Sequence, residues 1–236
     1  MKGVEELKLT SGEYKIIKLG TFRCNCYVIQ FRKVNILVDT SVKLERKLLL
    51  HGLAKNSIHT LDGIFITHNH WDHIQCANWL SKRFGCKVYL SPLSVYNVGL
   101  GYSTLPKGTG FISKIEYVLA TKLMKVYNFC LYEPCRKVAR LTPQLLEQFL
   151  GKGVTMLETP GHTEDSISFL VNGRVALVGD AMVNEFGRIY PPFAECENKI
   201  KESWKVLVSS GARVFLPGHG KPVGIRALRK GIRDGR

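Results

Sequence analysis

The sequence predicts an α/β protein built on two β-sheets, and three observations carry that expectation. Apolar runs of strand length alternate with segments of helical spacing through the first ninety residues. The same alternation returns after residue 154. The two stretches have similar strand content and flank a segment of different character, as a pair of stacked sheets would.

Tyr14 to Leu19, Cys26 to Phe31 and Val34 to Val38 are expected strands, the last two joined tightly through Arg32-Lys33. Val42 to Ala54, rich in Leu, Lys and Glu, is an expected helix. Gly63 to Ile66 is a short, wholly apolar strand, followed by a helix from about His73 to Phe84 and a strand from Lys87 to Leu90. Residues 94–142 break the rhythm and are expected as a mainly helical insertion or lid, with a helix through Ile112 to Phe129. Its aromatics (Tyr96, Tyr102, Phe111, Tyr117, Tyr127, Phe129, Tyr132) alternate with Lys107, Lys114, Lys122 and Lys125. That mixture would suit an anionic, partly apolar substrate, or simply an amphipathic helix packed on the core. Val154 to Glu158 is the next strand. Ser166 to Val171 and Arg174 to Val178 form a hairpin around Asn172-Gly173, followed by a helix from Asn198 to Ser209 and a strand from Arg213 to Leu216.

With 236 residues and 45% apolar content, the chain can bury one substantial core, so residues 1–236 are expected to form a single domain. Met1 to Tyr14 lacks the apolar run of a secretory signal, and no stretch of about 18 apolar residues occurs, so a soluble cytoplasmic protein is expected. Seven cysteines form an odd set, and Cys24-Asn25-Cys26 is too tight for a zinc knuckle. They read as buried thiols, with a Cys130–Cys135 disulfide as the alternative in a hyperthermophile. The formal charge of +15 favours anionic substrates, RNA or acidic surfaces without choosing among them, and a solvated basic face would account for it equally.

The chemistry is concentrated in Thr67-His68-Asn69-His70-Trp71-Asp72-His73, which holds three of the seven histidines directly after an apolar strand. Side chains alternate in an extended segment, so His68, His70 and Asp72 project to one side, and His73 joins them where the chain turns. Neutral imidazole nitrogens with a carboxylate suit zinc, and also iron or manganese. The competing reading is a polar loop with a helix cap at Asp72. Later strands end in the same manner: Thr159-Pro160-Gly161-His162, then Gly179-Asp180, then Pro217-Gly218-His219-Gly220. Taken alone, each of these would be an ordinary turn or surface residue. Together they place five of seven histidines at strand exits.

Through these motifs, in this order, the sequence resembles the metallo-β-lactamase superfamily of metallo-hydrolases over roughly Tyr14 to Pro222. The resemblance implies a four-layer αββα sandwich, with two mixed sheets inside and helices outside. It implies that His68, His70 and His162 hold one metal, that Asp72, His73 and His219 hold a second, and that Asp180 bridges them. It also implies that Asp39 fixes a ligand imidazole, where a plain turn residue is the alternative. Two divalent ions, zinc first with iron or manganese as alternatives, would generate a bridging hydroxide that Asp72 orients, making Asp72 the expected catalytic residue.

Among superfamily branches, Asp180 speaks against β-lactamase activity, and the Pro160–Thr163 and Gly179-Asp180 motifs are similar to those of glyoxalase II. Hydroxyacylglutathione hydrolases add a helical C-terminal region that binds glutathione. None is recognised here, so another thioester, an ester or a lactone is the expected substrate, with the Met182 to Phe193 loop, including Arg188 and Tyr190, shaping its pocket. The alternative is a nuclease or phosphodiesterase acting on RNA, which the charge motivates. Against it, RNA-processing relatives carry glycine where Trp71 stands or a longer insertion. A persulfide dioxygenase-like enzyme with one iron is the third reading.

Overall fold

The computed structural model describes residues 7–124, 128, 130–185 and 187–234. Strands β1 (Lys8–Ser11), β2 (Tyr14–Lys18), β3 (Tyr27–Phe31) and β4 (Val34–Val38) are followed by helix α1 (Arg46–Lys55), β5 (Gly63–Phe65), the single turn α2 (Trp71–Ile74), α3 (Ala77–Phe84), β6 (Lys87–Leu90) and α4 (Val95–Leu100). Then come β7 (Lys107–Gly108), α5 (Phe111–Met124), β8 (Val138–Arg140), α6 (Pro143–Leu150), β9 (Val154–Glu158), β10 (Ile167–Val171) and β11 (Val175–Gly179). The chain ends with β12 (Phe193–Ala194), α7 (Glu197–Ser209), β13 (Val214–Pro217), β14 (Val223–Gly224) and α8 (Ile225–Arg233).

Both large sheets are mixed. One runs β1-β2-β3-β4-β5-β6-β8 and is antiparallel up to β4, then parallel. The other runs β14-β13-β11-β10-β9, with β11 and β13 as its parallel pair. The side-chain period of two sends neighbouring residues into different cores. Ile17, Val28 and Leu37 pack under Leu49 of α1 and Leu80 of α3. Ile16, Ile29 and Ile36 meet Phe169, Val171 and Leu177 of the second sheet. On that sheet's far face, Leu170, Ala176 and Phe215 pack under Trp204 of α7 and Leu228 of α8. The result is the expected four-layer αββα sandwich.

Phe169 is fully buried between the sheets, with its ring 5.6 Å from that of Phe65. Phe169→Ala is expected to lower unfolding free energy by about 3–5 kcal/mol, measured by denaturant titration.

Several elements depart from the sequence expectation. The helix expected over Val42 to Ala54 begins with a 3₁₀ turn, Lys43–Glu45. The one expected from His73 breaks into α2 and α3, because the Cys76 amide turns away to the Ser41 carbonyl. Val138–Arg140, expected inside the insertion, is a strand of the first sheet. The helix expected to reach Phe129 is described as far as Met124; Lys125 to Tyr127 and Phe129 lie outside the described residues. All seven cysteines are free, so Cys130 and Cys135 are not bridged. No helix among the described residues is long and apolar enough to cross a membrane.

Candidate metal centre

The donors emerge just past the C-terminal ends of strands in both sheets. The exit of β5 delivers His68 and His70, and α2 carries Asp72 and His73; the exits of β9, β11 and β13 deliver His162, Asp180 and His219. The structure brings all seven together. Donor atoms of His68, His70, His162 and Asp180 lie within 4.8 Å of one another, and so do those of Asp72, His73 and His219. Asp180 stands between the two sets. Its Oδ2 is 3.5 Å from His162 Nε2 and 3.4 Å from His219 Nε2, and its Oδ1 is 3.4 Å from His73 Nε2. Asp72 Oδ2 is 3.4 Å from His219 Nε2.

Partners behind the rings fix which nitrogen carries the proton. His162 Nδ1 lies 2.8 Å from the Phe193 carbonyl oxygen, which can only accept, so the proton is on Nδ1 and the Nε2 lone pair points inward. His73 Nδ1 donates to Asp39 Oδ2 at 3.0 Å, which turns Nε2 inward. The Thr67 hydroxyl spends its one hydrogen on Asp39 and so accepts from His68 Nδ1 at 3.0 Å, which turns His68 Nε2 inward as an acceptor. His68, His73 and His162 thus turn Nε2 towards one small volume, where His162 Nε2 meets His70 Nδ1 at 2.9 Å and His73 Nε2 faces Asp180. Buried His68 Nε2, His70 Nε2 and Asp180 Oδ1 have no hydrogen-bond partner. Unpaired buried acceptors of this kind are costly, and a cation satisfies them. The residues therefore fit a divalent metal.

The charges agree with the geometry. Burial, reinforced by neighbouring imidazoles, pushes His68 well below its usual pKa and His70 down to about 3. Burial opposes protonation of His73 as well, yet the Asp180 and Asp39 carboxylates beside it hold its pKa well above the usual value. His219 is likewise raised against burial, to about 9, by Asp180 and then Asp72. Burial would raise Asp180, but the facing imidazoles of His219, His73 and His162 keep it well below the ordinary carboxylate range.

Close backbone approach closes the centre. A Cβ on Gly218 would collide with Asp180 Oδ1 and would stand 2.6 Å from His73 Cε1. Gly179 has φ +49°, and a Cβ there would lie 2.5 Å from Thr67 Oγ1. The Gly218 amide donates to the Gly179 carbonyl at 2.7 Å, and the Asn25 amide donates to the Gly218 carbonyl at 2.6 Å.

Several supporting groups carry no signal in the residue pattern. Asn25 Nδ2 donates to the Pro217 and Gly220 carbonyls, tying the β2–β3 loop to the His219 loop. The Asn69 amide donates to Asp165 Oδ2 at 2.8 Å, and Asp165 also accepts from the Ser94 hydroxyl. The Asn69 side chain holds the Tyr102 carbonyl and the Tyr132 hydroxyl. Polar residues three apart, such as His162 and Asp165, give no signal that one will support another loop. Cys24 Sγ lies 3.4 Å behind His73 Nδ1, where burial pushes its thiol pKa well up. Tyr190, expected at the pocket, instead donates its hydroxyl to Glu197 and packs edge-on against Trp204, so it buttresses the loop against α7; Arg188 is exposed.

A family model described as the metallo-beta-lactamase superfamily matches residues 19–219. A probable metallo-hydrolase of Methanocaldococcus jannaschii, MJ0888, is 23% identical, with 87% of this chain and 93% of that protein aligned. Among solved structures, the archaeal superfamily protein ST1585 from Sulfolobus tokodaii superposes with TM-score 0.64 at 17% identity, covering 93% of this chain and 85% of that one. TTHA1623, solved in a di-iron-bound form, does so with TM-score 0.63 at 21% identity, covering 90% and 96%. The structural likenesses are likenesses of fold.

Proposed function

The chain belongs to the metallo-beta-lactamase superfamily of metallo-hydrolases, and from that membership and the convergent donors we propose a binuclear, metal-dependent hydrolase that cleaves a thioester, ester or lactone in the cytoplasm. The observation that carries this reading is the position of Asp180, one carboxylate within 3.5 Å of ring nitrogens from both donor sets. His68, His70 and His162 would hold one ion and Asp72, His73 and His219 the other, with Asp180 shared; zinc is the first candidate, and the di-iron form of TTHA1623 keeps iron in view.

A bound divalent pair would supply Lewis acidity, lowering the pKa of water from about 15.7 towards 7 and polarising the scissile carbonyl. The chain's own residues do the rest. Asp72, its side chain 13% exposed, stands at the open edge of the cluster and can receive a proton at Oδ2. Asp39 and Thr67 hold His73 and His68 in the tautomers that face inward. No serine or cysteine nucleophile is required. The glyoxalase II-like branch is the proposed affinity, and residues 94–142, apart from the sheet strand β8, are the proposed lid of a single domain. Assay of acyl thioesters, esters and lactones on metal-loaded protein tests the reading: turnover of one class is expected, and none across the panel contradicts it. The charge of +15 supports a second reading, RNA phosphodiester cleavage, for which metal-dependent cutting and steeply salt-dependent binding of single-stranded RNA are the measurements.

The two donor sets should differ in their response to pH. With its pKa raised to about 9, metal-free His219 is protonated below that pH, and the pKa of His73 is raised as well, so an ion must displace those protons and its affinity rises with pH. His68 and His70 are already neutral, so affinity there is expected to be flat across the same range. Chelator competition at a series of pH values should resolve one pH-dependent and one pH-independent ion; two parallel profiles would contradict the assignment.

A further inference from the structure

Helix α5 faces the wrong way for a helix of a globular core. At 100° per residue, Val118, Phe111, Ile115, Leu119, Ile112 and Leu123 occupy an arc of roughly 140°. An apolar stripe this wide normally packs inward. Here all six are exposed, from 49% for Ile115 and Val118 to 82% for Phe111. The opposite arc does the packing: Ser113 is buried, and Tyr117, Ala120 and Thr121 are half-buried.

Exposed lysines accompany the stripe. Lys114 flanks it, Lys122 rises within it, and Lys107 precedes the helix, while Glu116 is the one acidic side chain on α5. Among the described residues, none of these three lysines enters an ion pair. The base of α5 is anchored: β7 pairs with β12, Thr109 bonds to the Pro191 and Pro192 carbonyls, and Phe193 of β12 receives the His162 Nδ1 proton. The helix and one donor loop of the centre are therefore joined through a single two-stranded ribbon.

The geometry points to α5 as an interfacial docking helix that lays its Phe111–Leu123 stripe into the surface of an anionic lipid bilayer. Charge complementarity selects this occupant. Lysines inside and beside an apolar stripe can extend their charged ends to lipid phosphates while the stripe enters the acyl boundary. A second copy would bring the same cationic face against itself.

Sedimentation of the full chain with phosphatidylcholine vesicles, with or without phosphatidylglycerol, tests this directly. Binding is expected to the anionic vesicles only and to weaken as salt is raised. Ile115→Glu with Leu119→Glu alters exposed positions and should cut binding by roughly tenfold or more, and Lys114→Glu with Lys122→Glu should also weaken it. Unchanged circular dichroism melts would show that both variants fold. No binding to anionic vesicles, or binding that the glutamates leave intact, overturns the inference. So does sedimentation velocity showing a dimer that Ile115→Glu dissociates, since a second copy would then cover the stripe.

Discussion

Asp180→Ala is expected to lose metal and turnover together, with a fall in activity larger than the roughly 10–100-fold that losing a supporting partner of a metal ligand costs. The carboxylate stands within 3.5 Å of ring nitrogens of His73, His162 and His219, so removing it takes a donor from both sets at once. It also removes the largest electrostatic support for protonating His219, whose pKa should fall from about 9 towards the ordinary histidine range in metal-free protein. Elemental analysis, initial rates and a histidine titration by NMR give three independent readings. Full metal content with full activity would contradict the role given to this residue.

Asp39→Asn is expected to be nearly as damaging without disturbing the fold. Asp39 Oδ1 accepts from the Thr67 amide at 2.9 Å, and Oδ2 accepts from His73 Nδ1 and from the Thr67 hydroxyl. In asparagine the oxygen must stay with the Thr67 amide, so the NH₂ group falls opposite His73 Nδ1. That nitrogen must then accept, and its proton moves to Nε2, where the inward lone pair was. The Thr67 hydroxyl keeps the remaining oxygen, 3.2 Å away, as its acceptor, so the reversal is confined to His73. The comparable carboxylate-to-amide change in serine protease triads costs about 10⁴ in turnover through the wrong tautomer. A loss of metal affinity of at least roughly 10–100-fold is expected here, measured by chelator competition, with an unchanged thermal melt of the metal-free protein. Wild-type affinity would show that Asp39 does not set the His73 tautomer.

Much of this architecture could be read from single elements. The strands of both sheets were apparent because Ile36, Ile64, Phe65, Val175 and Leu177 sit in short apolar runs, as strands buried on both faces must. The hairpin at Asn172-Gly173 followed from chemistry, and both residues adopt the positive φ that its turn requires. Other elements gave weaker signals. Thr142-Pro143, a cap followed by proline in the first turn, announces α6 only weakly because it sits at the edge of an irregular segment. The three residues of β8 pair beside β6, which no local pattern encodes.

Around the centre, the donors could be read because His68, His70, Asp72 and His73 crowd one short motif and His162, Asp180 and His219 each stand beside glycine at a strand exit. The groups that orient them could not. Thr67, Asn25 and Asp165 act on partners that are adjacent or as many as 195 residues away, and hydrogen bonds of that kind leave no periodicity. Periodicity also found α5 but not its direction, since a stripe looks the same whether it faces a core or solvent.

Anomalous diffraction from metal-loaded crystals tests the central claim most directly. Two peaks are expected, both within coordination distance of the Asp180 carboxylate, one beside His68, His70 and His162 and the other beside Asp72, His73 and His219. A single peak, or a peak remote from Asp180, would contradict a dinuclear centre.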